Sequence, residues 1–415
     1  MKKALYLMMI FALVALVFNS CKDPEEENQE EIVTANITED TTWETGNTYV
    51  LGGRITVVSG VTLTIEPGVV IKGEAGTGAN ATALVIARGA TLNAVGTASQ
   101  PIIFTSVADE IEPGQIASPN LDPDLNGLWG GLIILGDAPI SADATSVQIE
   151  GIPASDQNGL YGGSNASDNS GTIQYVSIRH GGANIGEGNE INGLTLGGVG
   201  NGTTIDHIEI IANQDDGIEC FGGTVNVNDI IVWNCGDDAY DMDQAYTGTI
   251  DNFILIAGED TDHAMELDGP EGTATGSYTL KNGSLKGWND GGADGGEYAD
   301  LRDGVTCTIE NCYFFNFSET SDFELDAGDD DDDLSISQNY TNGDVVFRNL
   351  EFNVSHLSSG NLTIPDIFSD KVDGQNVFET NAPNATIVTT PTVGATKSAF
   401  AGWSWADANG ELSSF

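Results

Sequence analysis

The sequence predicts an all-β fold, a parallel β-helix with loop insertions, and three observations support this prediction. An alternating apolar motif recurs along residues 173–352, and Ile205, Val227 and Ile250 open successive repeats 22 and 23 residues apart. The longer breaks between repeats are rich in Gly, Asn and Asp, as loops are, and Gly makes up 52 of the 415 residues. None of these breaks shows the helical periodicity that a βαβ fold requires.

Residues 1–20 have the layout of a bacterial export signal. Lys2 and Lys3 precede an apolar run over residues 4–18, which is too short to span a bilayer. Ser20 directly before Cys21 resembles a lipobox, and this resemblance implies that Cys21 becomes the lipidated first residue of the mature protein. The alternative is an ordinary secretory signal that is cleaved elsewhere.

Residues 21–40 are acidic, contain Pro24 and lack apolar clusters, which predicts an extended tether. Acids directly after a lipidated cysteine resemble the surface-export signal of lipoproteins in the Bacteroidetes group. The expected location is therefore the outer membrane, with a lipid anchor on Cys21 and the rest of the chain exposed at the cell surface.

Residues 41–405 are assigned to the β-helix and residues 406–415 to a C-terminal tail. Alternation places Val61, Leu63 and Ile65 inside the first coils. In the later repeats a bend-tolerant position follows the first strand residues, and we expect a ladder of stacked side chains there. Its members are Tyr175, His207, Asp229, Asn252, Asn282, Asn311 and Asn349. Trp403 and Trp405 are expected to cover the last coil, because an open end exposes unpaired strand edges.

Three stretches carry a resemblance to a known family: ASQPIIFTS at 98–106, GLWGGLIILGDAPI at 127–140, and the segment 189–226. They resemble secreted or lipidated right-handed parallel β-helix proteins of the Bacteroidetes group, most of which are uncharacterised. The resemblance implies the fold, its handedness and a surface location, but not a reaction. The architecture is shared with pectate lyases, polygalacturonases and alginate lyases, which is an analogy of fold alone.

The charge excludes one class of partner. Only 13 Lys and Arg stand against 63 Asp and Glu, a formal net charge of -50, so the chain repels phosphate backbones and no nucleic-acid partner is expected. A polyanionic ligand would need a bridging cation.

The repeats also align acidic residues in a carboxylate column. Glu219 and Asp241 each stand fourteen residues after the start of their repeat, at Ile205 and Val227. Like charges on successive coils repel, so the column predicts a compensating cation, and an all-oxygen ligand set favours calcium over zinc. The alternative is a solvated acidic face. The predicted metal ligands are Glu219, Asp241, Asp243, Glu266, Asp268, Asp300, Glu324 and Asp326.

The sequence favours a binding protein over an enzyme. Tyr240, Trp288 and Tyr298 are interpreted as outward aromatic residues near the column, on which sugar rings could stack, so a glycan-related ligand or an outer-membrane protein complex is the expected partner. No catalytic residue is predicted. The alternative is a calcium-dependent polysaccharide lyase or glycoside hydrolase, which a Lys or Arg within reach of the acids would favour. The pairing of Cys220, Cys235, Cys307 and Cys312 stays open, with Cys220–Cys235 the one considered.

Overall fold

The computed structural model describes residues 29–185, 190–289, 296–325, 335–357, 362–368, 377–379 and 381–415. The predicted signal peptide, Cys21 and Asp326 lie outside these residues. The strands are β1 (Glu30–Val33), β2 (Thr41–Trp43), β3 (Thr48–Leu51), β4 (Arg54–Val57), β5 (Thr62–Ile65), β6 (Val70–Gly73), β7 (Ala83–Ile86), β8 (Thr91–Val95), β9 (Ile102–Ser106), β10 (Leu132–Leu135), β11 (Val147–Gln148), β12 (Leu160–Tyr161), β13 (Gly171–Arg179), β14 (Leu194–Gly197), β15 (Thr204–Ile211), β16 (Ile218–Phe221), β17 (Asn226–Trp233), β18 (Tyr240–Asp243), β19 (Thr249–Ile256), β20 (Glu266–Leu267), β21 (Tyr278–Lys286), β22 (Ala299–Leu301), β23 (Cys307–Glu310), β24 (Tyr313–Phe315), β25 (Phe323–Leu325), β26 (Val346–Arg348), β27 (Leu350–Asn353) and β28 (Ala385–Ile387). The helices are α1 (Ser335–Asn342), α2 (Ile364–Ile367) and α3 (Trp405–Ala408), joined by short 3-10 turns at Gly78–Asn80, Gln157–Gly159, Val377–Glu379, Lys397–Ala399 and Glu411–Ser414.

The strands stack in parallel, each pairing with the equivalent strand of the next coil. Within the described residues, one sheet has nine strands in the order β25-β22-β20-β18-β16-β14-β10-β7-β4, and a second sheet has 17 strands. In the central coils a short strand of the nine-stranded sheet alternates with a long, bent strand of the other sheet, as β16 alternates with β17. This arrangement confirms the parallel β-helix.

The bend in each long strand falls at the predicted ladder. Non-glycine residues rarely adopt a positive φ, yet all seven ladder residues have φ between 51° and 60°. Asn349 donates from Nδ2 to Asn311 Oδ1 at 3.0 Å, and Asn311 donates to Asn282 Oδ1 at 3.3 Å. At the other end the rings of Tyr175 and His207 stack with their centroids 4.3 Å apart. Each bend is therefore stabilised by contacts between its ladder side chain and the ladder side chain of the next coil.

The interior of the coil is filled by in-register apolar columns. Cys220, Met242, Leu267 and Leu301 occupy equivalent places on successive strands of the nine-stranded sheet, and each is fully buried. Cys220 and Cys312 are fully buried and pack as small apolar residues. Those two thiols and the thiols of Cys235 and Cys307 are free.

Two aromatic residues that follow the repeated motif, Phe368 and Phe378, cover the C-terminal end of the core. Phe368 stacks on Phe323 at 4.6 Å, and Phe378 packs against Phe368 at 5.1 Å. The expectation that Trp403 and Trp405 cover this end is wrong. Both pack on the outside of the 17-stranded sheet, because the chain turns back after β28.

We call residues 391–415 the C-terminal strap. It lies against Ile231, Ile254 and Trp233 on the outer face of the 17-stranded sheet. Beneath it, the buried Arg179 and Glu209 form an ion pair at 3.5 Å, and the Arg179 guanidinium lies 4.9 Å from the centre of the Trp405 ring. The strap is therefore an integral part of the packed domain.

Two predicted boundaries need correction. Strand β1 pairs with β3, so the β-helix already begins at Glu30, inside the predicted tether of residues 21–40. Residues 406–415, predicted as a tail, belong to the packed strap because Leu412 is buried and contributes to its apolar cluster. Among the described residues, no helix combines the length and apolar character needed to cross a bilayer.

Candidate functional site

The nine-stranded sheet brings the predicted carboxylates together. Glu219 pairs with Asp241, Asp241 with Glu266, Glu266 with Asp300, and Asp300 with Glu324, on five successive coils. The alignment of these five residues is therefore confirmed. Strand alternation explains why these five side chains point outward, because the residue that follows each of them points into the core. The metal-ligand role of these residues stays a prediction.

Three further predicted ligands stand two residues after members of the column. Asp243 ends β18, and Asp268 directly follows β20 on the next coil. Asp326 lies outside the described residues.

The column is on the outside of the coil, but much of it is shielded from water. Glu219 and Asp241 are each only 8% exposed. Asn192 donates from Nδ2 to Glu219 Oε2 and, at 3.4 Å, to Glu150 Oε1, which comes from the insertion between β11 and β12. A polar loop therefore covers this part of the column.

Asp216, Glu219 and Asp241 form what we call the first cluster. Ligand oxygens of these three buried residues lie within 4.8 Å of one another. Burial and the neighbouring carboxylates raise the pKa of all three groups well above their ordinary range. Among the described residues, none of the three forms an ion pair, and the buried Asp241 Oδ1 has no hydrogen-bond partner.

Glu266, Asp268, Asp300 and Glu324 form the second cluster. There Arg302 pairs with Glu266, with Asp268 at 2.8 Å and with Asp300 at 3.7 Å. Arg302 therefore lies among the acids as an ion-paired residue. A cation of the chain itself compensates this part of the column.

His263 supplies a second internal cation. Its Nδ1 lies 2.8 Å from Asp238 Oδ1, and its Nε2 lies 3.9 Å from Glu324 Oε2. Burial lowers the pKa of His263, but the hydrogen bonds to Asp238 and Glu324 outweigh it and raise the pKa to about 11. The imidazole is therefore charged at neutral pH.

The outward orientation predicted for Tyr240 and Tyr298 is wrong. Tyr240 is fully buried and donates to Ile254 O at 2.7 Å, as expected for a strand neighbour of the outward Asp241. Tyr298 is 3% exposed, and the centre of its ring lies 4.3 Å from that of Phe317. Strand alternation does not give its direction, because Tyr298 lies in the turn before β22. Neither ring presents a face on which a sugar could stack.

Trp288, the third predicted aromatic residue, is half-buried and lines an open cleft. The cleft has a volume of about 360 Å³ and includes four exposed carboxylates. The insertion after β9 also lines the cleft. Asn234 holds this insertion through an Nδ2 bond of 2.8 Å to Pro123 O. The lining carboxylates are Asp122, Asp124, Glu259 and Asp260. Cys235 also lines the cleft, two residues before Asp237 in the turn that leads to the column.

Asn192 and Glu150 were missed by the sequence reasoning. Both lie outside the repeated motif, and Glu150 reaches the column only through the folding of an insertion. The place of His263 between Asp238 and Glu324 accounts for this histidine in structural terms.

Comparison with known proteins identifies the domain. A family model described as a pectate-lyase like beta helix domain matches residues 35–406. The chain belongs to this family. No curated protein and no solved structure matches it. Membership in the pectate-lyase like beta helix family establishes the fold, and the chemistry must be argued from the site.

Proposed function

We propose that the chain is a lipid-anchored protein of the outer-membrane surface that binds an extracellular glycan or glycan-bearing partner without transforming it, with calcium on its acidic face. The observation that carries this proposal is the cleft at Trp288. An indole face next to exposed carboxylates suits a sugar, whose apolar face stacks on the ring while its hydroxyls donate to the acids.

Calcium is supported by the chemistry of the column. Its ligand atoms are carboxylate oxygens, which hard cations prefer, and the acids are held in register by the sheet. A cation would offset the repulsion between neighbouring coils.

Binding can be tested with a panel of extracellular polysaccharides and the purified chain. We expect Trp288→Ala to lower affinity by about tenfold, while Trp288→Phe retains most of it because an aromatic face remains. Equal affinity of Trp288→Ala and the parent chain would remove the cleft from the proposal.

The anchor has a separate test. Cys21→Ala should move the mature protein from the membrane fraction to the soluble fraction, because no other membrane attachment is proposed. Unchanged fractionation in the absence of a membrane-bound partner would contradict the lipobox.

A calcium-dependent polysaccharide lyase or glycoside hydrolase is the second candidate, and Arg302 is the observation that favours it. A general base must accept a proton, however, and a guanidinium is poorly suited to that role. Arg302 is instead ion-paired with Glu266, Asp268 and Asp300. Incubation with the same polysaccharides distinguishes the two functions. Unsaturated products or new reducing ends would favour the enzyme, and intact polymer would favour binding.

A further inference from the structure

We propose that Asp216, Glu219, Asp241 and Asn192 bind a single calcium ion that is structural, buried under the insertion and not in contact with the ligand. This inference rests on the proposed function for the presence of calcium and deepens it by placing the ion. It also separates the ion from the glycan, which the cleft at Trp288 would bind.

The first observation is the unpartnered oxygen of Asp241. Asp241 is only 8% exposed, and its Oδ1 has no hydrogen-bond partner among the described residues. A buried carboxylate oxygen without a partner is costly, and protonation of the neighbouring oxygen would leave it unsatisfied. A cation among the three carboxylates would satisfy it.

The second observation is Asn192. It is fully buried, and its Oδ1 also lacks a partner while its Nδ2 donates to Glu219. Rotating the amide by 180° exchanges the two atoms, and the oxygen then lies beside Glu219, where the ion would be. Three carboxylates and one amide carbonyl form a calcium-like oxygen set.

The second cluster does not need a calcium ion, so one ion is enough to compensate the column. Arg302 and His263 already lie among its carboxylates, so a metal there would have to displace a guanidinium or a charged imidazole. The first cluster has no such cation among the described residues. The predicted ligands Glu266, Asp268, Asp300 and Glu324 are therefore assigned to ion pairs rather than to calcium.

Burial gives the ion its role. Asp216, Glu219 and Asp241 are 7%, 8% and 8% exposed, which leaves little room for a ligand group to reach the metal. The ion would neutralise Glu219 and so reduce its repulsion with Glu150 of the insertion. Calcium would therefore fasten the insertion to the coil. A lyase, in contrast, would need an open metal face that touches a uronate.

Equilibrium dialysis with radioactive calcium tests this placement. The chelator-stripped chain should bind about one ion, and Asp241→Asn should weaken binding by about tenfold or more, because the site loses one charged ligand. Glu324→Gln is the matched control from the second cluster and should bind as the parent chain does. Magnesium should compete poorly, since it requires tight octahedral geometry.

A gain-of-affinity variant keeps the test decisive if Asp241→Asn folds poorly. Asn192→Asp adds a charged ligand and should tighten calcium binding by about tenfold. No bound calcium, loss of binding in Glu324→Gln alone, or unchanged affinity in Asn192→Asp would each overturn the placement. If no calcium binds but the chain still binds glycans through Trp288, the inference fails while the proposed binding function stands.

Discussion

The two acidic clusters share one strand register but differ in how their charge is compensated. The first cluster has three buried carboxylates and no ion pair among the described residues. In the second, Arg302 and His263 lie within ion-pair distance of the acids. A repeated column of acids is therefore not one site, because the residues between its members decide whether each coil needs an external cation.

The comparison predicts the largest effect at Arg302. Arg302→Gln should lower the free energy of unfolding by ~3 kcal/mol at pH 7, because partly buried carboxylates lose their cation. Denaturant unfolding measures this loss. Arg348→Gln is the matched control and should cost less than ~1 kcal/mol, since Arg348 is 55% exposed in its pair with Glu310. Equal losses would show that the second cluster is not specially compensated.

His263→Gln should have the next largest effect, a loss of ~2 kcal/mol at neutral pH, because Asp238 and Glu324 lose a charged partner. Since the pKa of His263 is raised from 6.5 to about 11, its contribution is full below pH 6.5 and is lost as pH rises through 11. Unfolding of parent and variant should therefore converge at alkaline pH. A constant difference across that range would contradict a role for the imidazolium.

Amide substitutions should have opposite signs in the two clusters. In chelator, Asp241→Asn should raise stability by ~1 kcal/mol because it removes repulsion with Glu219 and Asp216. Glu266→Gln should lower stability by a similar ~1 kcal/mol because Arg302 loses a partner. Thermal melting of both variants checks the signs. The same sign in both would mean that the clusters do not differ.

The last prediction is a pH dependence of stability, measured in chelator. Burial and nearby acids raise the pKa of Asp215 and of Asp243 from 3.8 to about 7. The folded state then binds more protons than the unfolded state between pH 4 and pH 7, so stability is full below the unfolded pKa and falls as pH rises through 7. Each group contributes at most ~1.4 kcal/mol per pH unit. Asp215 and Asp243 repel Asp216 and Asp241 of the first cluster, so calcium bound there should flatten this slope. Identical slopes with and without calcium would contradict the first cluster as its site.

The fold was predictable from the sequence because the coil repeats its constraints. Each bend requires a positive φ, which Asn, Asp and His tolerate better than most residues, and those residue types mark the ladder from His207 to Asn349. Strand alternation likewise fixed the column once its inward neighbours were identified.

The site was less predictable because insertions complete it. Periodicity gives no position for Glu150 or Asn192, and it therefore cannot show that the acids are covered. Periodicity also gives no direction for side chains in turns, and for this reason Tyr298 was wrongly predicted to point outward. Tyr240 shows a different error, since its neighbour Asp241 already required the opposite direction.

The C-terminal strap changes how the coils respond to a load. In a solenoid each coil contacts only its neighbours, so an end can peel away coil by coil. Here the Ala406 N–H bonds Glu209, 197 residues earlier in the chain, and Thr392 and Thr396 bond Glu351 and Asn252 on the coils between. Tension applied at Phe415 therefore reaches the middle of the stack before its last coil, and the strap must shear off before the C-terminal coils can unwind.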